Sequence, residues 1–273
     1  MLDSTPFATS VVLYSLGFSE DPLAHKMRDR AVEFLKGLME PGNVWSYWTR
    51  KSGKRIVPDL DDTSCISKLL MEQWDDKRFP DANRELFFAR QNEQGWFYTW
   101  FEKKPESNDV DSVVNANVVW YLGETAETLR TIQNLQDVIK AGSECSSYWY
   151  YQDPLALYYA ISRAGASSAI RLRSVFDVIH QRISDWCNRV DLVSDSLSLG
   201  VALSTLGNLG VNDTALARKL VDKICSRQGA NGAWETVAYY GGPEPPGPQR
   251  VWFGSEEVTT AFCLEGLLRS ADV

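Results

Sequence analysis

Apolar and small residues recur along this chain in six segments of helical length. "STPFATSVVLYSLG", "DDTSCISKLLMEQ", "DSVVNANVVWYLG", "DPLALYYAISRA", "DSLSLGVALSTLG" and "EEVTTAFCLEGLL" each open with Asp, Glu or Ser, continue with small or apolar residues and reach a Leu, Ile or Ala near the end. Their starts lie roughly 40 to 60 residues apart, at or somewhat beyond the period of helical-repeat arrays. Between them run more charged stretches with helical spacing: "AHKMRDRAVEFLKGLM", "ANRELFFARQ", "ETLRTIQNLQDVIKAG", "AIRLRSVFDVIHQRISDWCNR" and "TALARKLVDKICSRQ". In the fourth, Val175, Val178, Ile179 and Ile183 form one apolar stripe with arginines elsewhere, the pattern of a surface helix. The alternation predicts an all-α fold, an (α/α)6-type barrel of six inner helices wrapped by outer ones, with a linear helical solenoid as the alternative. Neither strand alternation, nor a Pro-rich linker, nor a low-complexity tract divides residues 1–273, so a single domain is expected.

This layout makes the two ends of a barrel unequal. Connections from inner to outer helices are short ("FSEDP", "ETAE", "AGAS"), whereas those from outer to inner helices, residues 40–60, 92–110, 142–152 and 228–255, are long. If the inner helices run parallel, the long loops gather at one end, and long loops in a compact domain are usually functional or disordered. "VWSYW", "GWFYTWF" and "SYWYY" in these loops are not the composition of disorder. The loop end is therefore the expected working face. It carries "PDLDDTS", with Asp59, Asp61 and Asp62 crowded into four positions before a helical run. One reading of that crowding is a helix N-cap, because carboxylates there satisfy free N–H groups and meet the helix dipole.

Composition narrows the function classes. A formal charge of −8 and a pI near 4.9 argue against a nucleic-acid or anionic-membrane surface. The five cysteines, Cys65, Cys145, Cys187, Cys225 and Cys263, are widely spread without CxxC pairs, which reads as reduced core thiols in a cytoplasmic protein. "MLDSTPFATS" lacks the basic start and apolar run of a signal peptide, and nothing approaches the ~18 consecutive apolar residues of a membrane span. Two stretches share a spacing: Gln228, Gly232 and Trp234 in "QGANGAW", and Gln91, Gly95 and Phe97 in "QNEQGWF". A Gln closing a helix end, a Gly turn and a packed aromatic explain them structurally.

Taken with "DLDD", these Q-x₃-G-x-W repeats resemble class II terpene cyclases and the squalene-hopene cyclase group. "DLDDTS", "VDSVVNANVVWYL", "SYWYYQDPLALYYAISR" and "QGANGAW" look like successive landmarks of the single-barrel cyclase domain of drimane-type sesquiterpene cyclases. The resemblance covers nearly the whole chain. It departs in two respects: the phosphatase domain often fused to that barrel is missing from these 273 residues, and so is the second barrel of larger class II enzymes.

The resemblance implies a protonation-initiated cyclisation of a linear prenyl diphosphate such as farnesyl or geranylgeranyl diphosphate. Asp61 would be the general acid, with Asp59 and Asp62 orienting it. Crowded carboxylates suit the task, since like charges resist simultaneous ionisation and retain a proton. Aromatic faces stabilise cations by about 0.5–2 kcal/mol each. Candidates for such a lining are Trp96, Phe97, Trp100, Trp120, Trp149, Tyr158 and Trp252. Asp109, Asp111, Asn115 and Asn117 in "NDVDSVVNANVVW" read either as a cap with inter-helix hydrogen bonds or as a second polar cluster, one that touches the acid motif or helps hold Mg²⁺, at Asp109 and Asp111, if the substrate is a diphosphate. "RKSGKR" (Arg50 to Arg55), Arg163 and Arg250 are the cations a diphosphate would need, or a solvated loop. A separate phosphatase would then remove the diphosphate. "YYGGPEPPGPQRVWFGS" (Tyr239 to Ser255), too rich in Gly and Pro for helix, reads as a water-excluding lid or a rigid loop.

Other readings stay open. Neutral polyprenyl or meroterpenoid substrates fit the same acid. Protein prenyltransferases share the barrel but bind zinc through Asp, Cys and His. Here the two histidines, His25 and His180, fall in predicted outer helices, so no zinc is expected. A carbohydrate-active barrel would also pair carboxylates with aromatics, and a non-catalytic barrel would hold a lipid or peptide. Oligomeric state is not legible.

Overall fold

The computed structural model describes residues 5–53, 56–73, 81–189, 194–211, 214–242 and 251–271. The six predicted inner segments are helices: α1 (Pro6–Leu16), α3 (Leu60–Gln73), α5 (Ser112–Leu122), α7 (Pro154–Ser167), α9 (Ser196–Leu209) and α11 (Glu256–Ala271). Each packs on the next, and α11 packs back on α1, so the ring closes. That closure rules out the linear solenoid. The outer layer is α2 (Pro22–Gly37), α4 (Asp81–Phe88), α6 (Leu129–Ala141), α8 (Phe176–Arg189) and α10 (Ala215–Ser226).

Burial follows the two kinds of pattern. Every residue of α5 is buried, because a ring helix meets protein on all sides. In α6 only Thr131, Ile132, Leu135, Gln136 and Ile139 are buried, one helical face. In α8 the buried face is Ile179, Ile183 and Cys187, while Val178 is half-buried and Val175 lies in a 3₁₀ turn before the helix. No described helix is long and apolar enough to cross a membrane.

An acidic or hydroxyl residue caps each inner helix, and at α5, α7 and α9 it is the Asp that opens the quoted segment. Thr5, Asp111, Asp153 and Asp195 accept hydrogen bonds from the first turns of α1, α5, α7 and α9. Asp59 does so for α3 and Ser255 for α11. Thr5 and Asp153 are each followed by proline at the first helical position, where its missing N–H costs nothing.

Both Gln-to-aromatic motifs follow the ends of outer helices, as their structural reading predicts. Gln228 Nε2 donates to Gly232 O (2.8 Å) and Trp234 Nε1 to Ile224 O (2.8 Å). Gln91 Nε2 donates to Glu127 O (3.0 Å), and Gly95, at φ 83°, has Arg130 so close that a Cβ would lie 2.6 Å from the Arg130 Cβ. A degenerate third copy, with Met39 at the Gln position, escaped sequence reading. Trp45 Nε1 donates to Leu35 O (2.8 Å), and Asn43, at φ 56°, holds the left-handed turn where the other copies have glycine. Asn tolerates that conformation better than most residues, so the motif survives without its Gly.

Two expectations need correction. Residues 239–255 are neither wholly loop nor lid alone: β1 (Val237–Gly241) and β2 (Trp252–Ser255) form an antiparallel hairpin, with residues 243–250 outside the described part. A bulge separates Ala238 from Tyr240, and Gly254 lies so close to β1 that a Cβ would meet Val237 O at 1.8 Å. Gly241 N donates to Tyr150 O (2.7 Å), pinning the hairpin to the segment before α7. Second, of the five free cysteines only Cys65, Cys187 and Cys263 are buried, while Cys145 and Cys225 are exposed.

Candidate functional site

At the N-terminal ends of the inner helices, an open cleft of about 560 Å³ counted to its mouth is lined by Phe7, Tyr47, Trp48, Ile56, Asp59, Asp61, Asp62, Thr99, Trp100, Val114, Tyr150, Tyr151, Tyr240, Gly241, Gly242 and Phe253. Its size and a lining half of which is aromatic suit a small organic ligand. All three aspartates of the "DLDD" run face it, and all three are buried.

Each aspartate has a different setting. Asp59 precedes α3 and its Oδ1 accepts from Asp62 N at 2.7 Å, so the cap reading holds for this residue. Asp61, in the first turn, accepts on both oxygens: Asn117 Nδ2 donates to Oδ1 at 2.6 Å and Tyr151 Oη to Oδ2 at 2.5 Å. Asp62 leaves Oδ2 buried with no partner among the described residues, as does Thr99 with its Oγ1. Burial raises the pKa of all three carboxyls. For Asp59 and Asp62 the repulsion of neighbouring carboxylates adds to burial and lifts both well above the ordinary range. For Asp61 the donors Asn117 and Tyr151, and the charge of Arg163, pull the other way.

Arg163 lies behind this group, not at the mouth. Its Nη2 donates to Asn117 Oδ1 (2.8 Å), and its guanidinium sits 3.7 Å from the Trp120 ring centroid, with Tyr159 at 5.0 Å and Tyr14 at 5.2 Å. Arg163 therefore fixes which way the Asn117 amide points: with Oδ1 engaged, its N–H donors face Asp61.

The expected substrate-binding residues mostly lie elsewhere. Trp100 lines the cleft, with Lys103 Nζ 4.2 Å from its ring centroid. Trp120 is buried against Arg163, and Trp96 packs on the core. Tyr158 donates to Glu144 (3.2 Å), which also pairs with Arg182 (3.1 Å) away from the cleft. Trp149 is 42% exposed, and Trp252 lines a separate cavity with Asp153 and Asp195. Asn115 exchanges hydrogen bonds with the Phe97 backbone at 2.8 and 2.9 Å. Two residues along a helix turn the side chain by about 200°, which is why Asn117 reaches Asp61 and Asn115 does not.

At the two candidate Mg²⁺ ligands, protein donors engage both Asp111 oxygens and Asp109 Oδ2, while Asp109 Oδ1 is buried with no partner among the described residues. Asp111 Oδ1 accepts from Val113 N (2.7 Å) and Val114 N (3.1 Å), and its Oδ2 from Trp149 N (2.6 Å) and Tyr150 N (3.1 Å). Asp109 Oδ2 accepts from Tyr150 Oη (2.7 Å) and Trp100 Nε1 (3.2 Å). Four backbone donors leave Asp111 no free lone pair for a hard cation. Among the described residues no group of three or more His, Cys, Asp or Glu is arranged to hold a metal. His25 and His180 lie on outer helices α2 and α8. Of the basic run, Lys51 is exposed. The Arg50 side chain, Lys54, Arg55 and Arg250 lie outside the described residues.

Of the second polar cluster expected to touch the acid motif, Asn117 does so; sequence reading did not single out Tyr151, Tyr47, Tyr240 or Phe253. Tyr47 and Tyr151 stand in the quoted aromatic runs, but which rings of "VWSYW" or "SYWYY" point inward depends on loop backbone that no helical or strand period governs.

No protein-family model matches the chain, and no curated protein matches it. Its fold is shared by solved structures. A protein from Actinoplanes superposes with a TM-score of 0.76 at 13% identity, over 97% of this chain and 90% of that one. The type II terpene cyclase MstE from Scytonema superposes with a TM-score of 0.73 at 16% identity, over 98% and 88%. A single-substitution variant of that cyclase in complex with its substrate geranylgeranyl dihydroxybenzoate gives 0.70 at 16% identity, over 98% and 88%. At these identities the likeness is one of fold: this chain is a helical barrel of the kind type II terpene cyclases have.

Proposed function

We propose that this protein is a class II, protonation-initiated terpene cyclase acting on a linear polyprenyl chain, with Asp61 as the Brønsted acid. The observation that carries this reading is a buried carboxyl facing an aromatic cleft, whose two oxygens both accept hydrogen bonds. Burial keeps the acid protonated while substrate arrives. The two donors and Arg163 stabilise the carboxylate once the proton leaves, which makes the acid strong when it acts.

In this mechanism the Asp61 proton passes to the terminal alkene, and the neighbouring double bond attacks the tertiary cation. The rings of Tyr47, Trp100, Tyr240 and Phe253 supply negative faces without a nucleophile as reactive as water. Asp59 and Asp62 keep a shared proton rather than two charges, so the pocket is not flooded with carboxylate. No step here uses a metal.

Of the two head-group classes, a prenylated aromatic or other non-diphosphate group is favoured over a diphosphate. Arg163 faces inward and the Asp111 carboxylate is fully occupied, while the structurally similar MstE binds a geranylgeranyl dihydroxybenzoate. The test is a product assay on purified protein with geranylgeranyl dihydroxybenzoate, farnesyl diphosphate and geranylgeranyl diphosphate, run beside Asp61→Asn. A cyclic product is expected from the first, falling by about 10²-fold or more in the mutant. Cyclic product from a diphosphate alone would reverse the head-group choice. Linear material alone from all three would sink the cyclase reading for these chains.

A further inference from the structure

The acid must be reprotonated after each turnover, and the route is the question two shared tyrosines raise. A small cavity lies behind Asp61 inside the barrel, lined among others by Cys65, Asn117, Tyr151, Arg163 and Tyr239. Tyr151 lines both this cavity and the aromatic cleft. Tyr239 and Ala156 line both this cavity and a third one, about 880 Å³ counted to its mouth, which reaches the surface beside the exposed Gln152. The three spaces therefore form a series, with one tyrosine at each partition.

One polar group of the residues lining the middle cavity lacks a partner among the described residues. Arg163 Nε is buried with no hydrogen-bond partner among the described residues, although Arg163 is only 7% exposed. Tyr239 lines the same cavity, and its ring packs edge-on against Tyr151 (5.3 Å) and Phe262 (5.0 Å). A buried donor left unmade costs about 1–3 kcal/mol, and a water is retained where it finds two to four polar partners. Arg163 Nε, Tyr239 Oη and the free lone pair of Tyr151 Oη supply three.

We propose that Tyr239, one water in the middle cavity and Tyr151 form a proton-return route that reloads Asp61 from solvent behind the substrate. The proposal rests on the cyclase reading above. A solvent proton adds to Tyr239 Oη as the tyrosine's own proton passes to the water. The water passes one proton to Tyr151 Oη, and Tyr151 passes its own to Asp61 Oδ2. Each hydroxyl and the water end with the protons they began with, so one proton moves and neither tyrosine is left ionised. Product in the cleft excludes water from the front of the acid, and this path avoids it. Tyr239 touches no reacting atom, so it is a relay and positioning residue.

The experiment separates first from later turnovers. Rapid-quench kinetics with geranylgeranyl dihydroxybenzoate, or geranylgeranyl diphosphate if only that is cyclised, would be run on wild type and Tyr239→Phe, which keeps both ring contacts. The first turnover should stay within about twofold of wild type while the steady-state rate falls roughly tenfold or more. Ala156→Val, which narrows the seam between the inner and outer cavities, should show the same split and guards against a folding defect peculiar to Tyr239. Unchanged steady-state rates in both variants would overturn the relay and leave the cyclase reading standing. First turnover and steady state falling together would mean a structural role and also overturn it. Absence of any cyclic product from wild type in the first turnover would overturn both.

Discussion

Asp59 commits one carboxylate oxygen to the Asp62 N–H, as a helix cap does, whereas Asp61, two residues on, receives side-chain donors on both oxygens. The same residue type thus binds backbone in one case and side chains in the other, and the difference lies in α5 and the segment before α7. Asn117 is the hinge of this arrangement because it accepts from Arg163 and donates to Asp61. Asn117→Leu removes both contacts and leaves the Arg163 charge without its amide partner. It should destabilise the fold by about 1–3 kcal/mol in urea unfolding and lower kcat more than it raises KM. A loss of stability with kcat unchanged would show that Asn117 only supports Arg163.

At the scale of elements, the segment 148–151 is held by backbone contacts that a metal site would have disrupted. Asp111 caps α5 with one oxygen and anchors Trp149 and Tyr150 with the other. Asp111→Ala should cost about 2–4 kcal/mol by urea unfolding, combining a lost cap with unpaired buried N–H groups. Mg²⁺ should change neither wild-type stability nor the size of that loss; a Mg²⁺-dependent rise in wild-type Tm would contradict the capping role as the whole account. Ring closure has its own fastening. Glu265, fully buried on α11, accepts from Tyr159 Oη on α7 (2.9 Å) and from Arg269 Nε (3.0 Å), and Arg269 Nη2 donates to Tyr14 Oη on α1 (2.9 Å). Glu265→Ala strands a cation within that network and should cost about 3–5 kcal/mol, measurable as a lowered urea midpoint.

For the whole molecule, the carboxyl cluster sets a pH dependence whose sign follows from its direction. Asp59, Asp61 and Asp62 all hold protons more tightly in the fold than in the unfolded chain. The unfolded state therefore binds fewer protons above about pH 4, and stability falls as pH rises from there through the raised folded values. Asp62→Asn should be more stable than wild type near neutral pH and show a flatter stability–pH curve by urea unfolding, and wild-type cyclisation should decline on the alkaline side as the loaded acid fraction falls. Equal slopes in both proteins would remove the cluster as the cause. The barrel was legible in the sequence because its signals are local: caps such as Asp153 and Asp195, all-round apolarity in α5, and one-sided burial in α6 each follow from a short run of residues and a 3.6-residue period. The "DLDD" run could be placed at the loop end for the same reason. What faces it was not local. Tyr151 meets Asp61 across 90 residues and Tyr47 meets Tyr240 across 193, in loops without a period, and the hairpin that carries Tyr240 is fixed by a bulge and by pairing with residue 150. Sequence alone determined which helices form the ring and which end bears the acids; only tertiary packing decided which polar and aromatic side chains reach them, because those contacts are set by where distant loops meet.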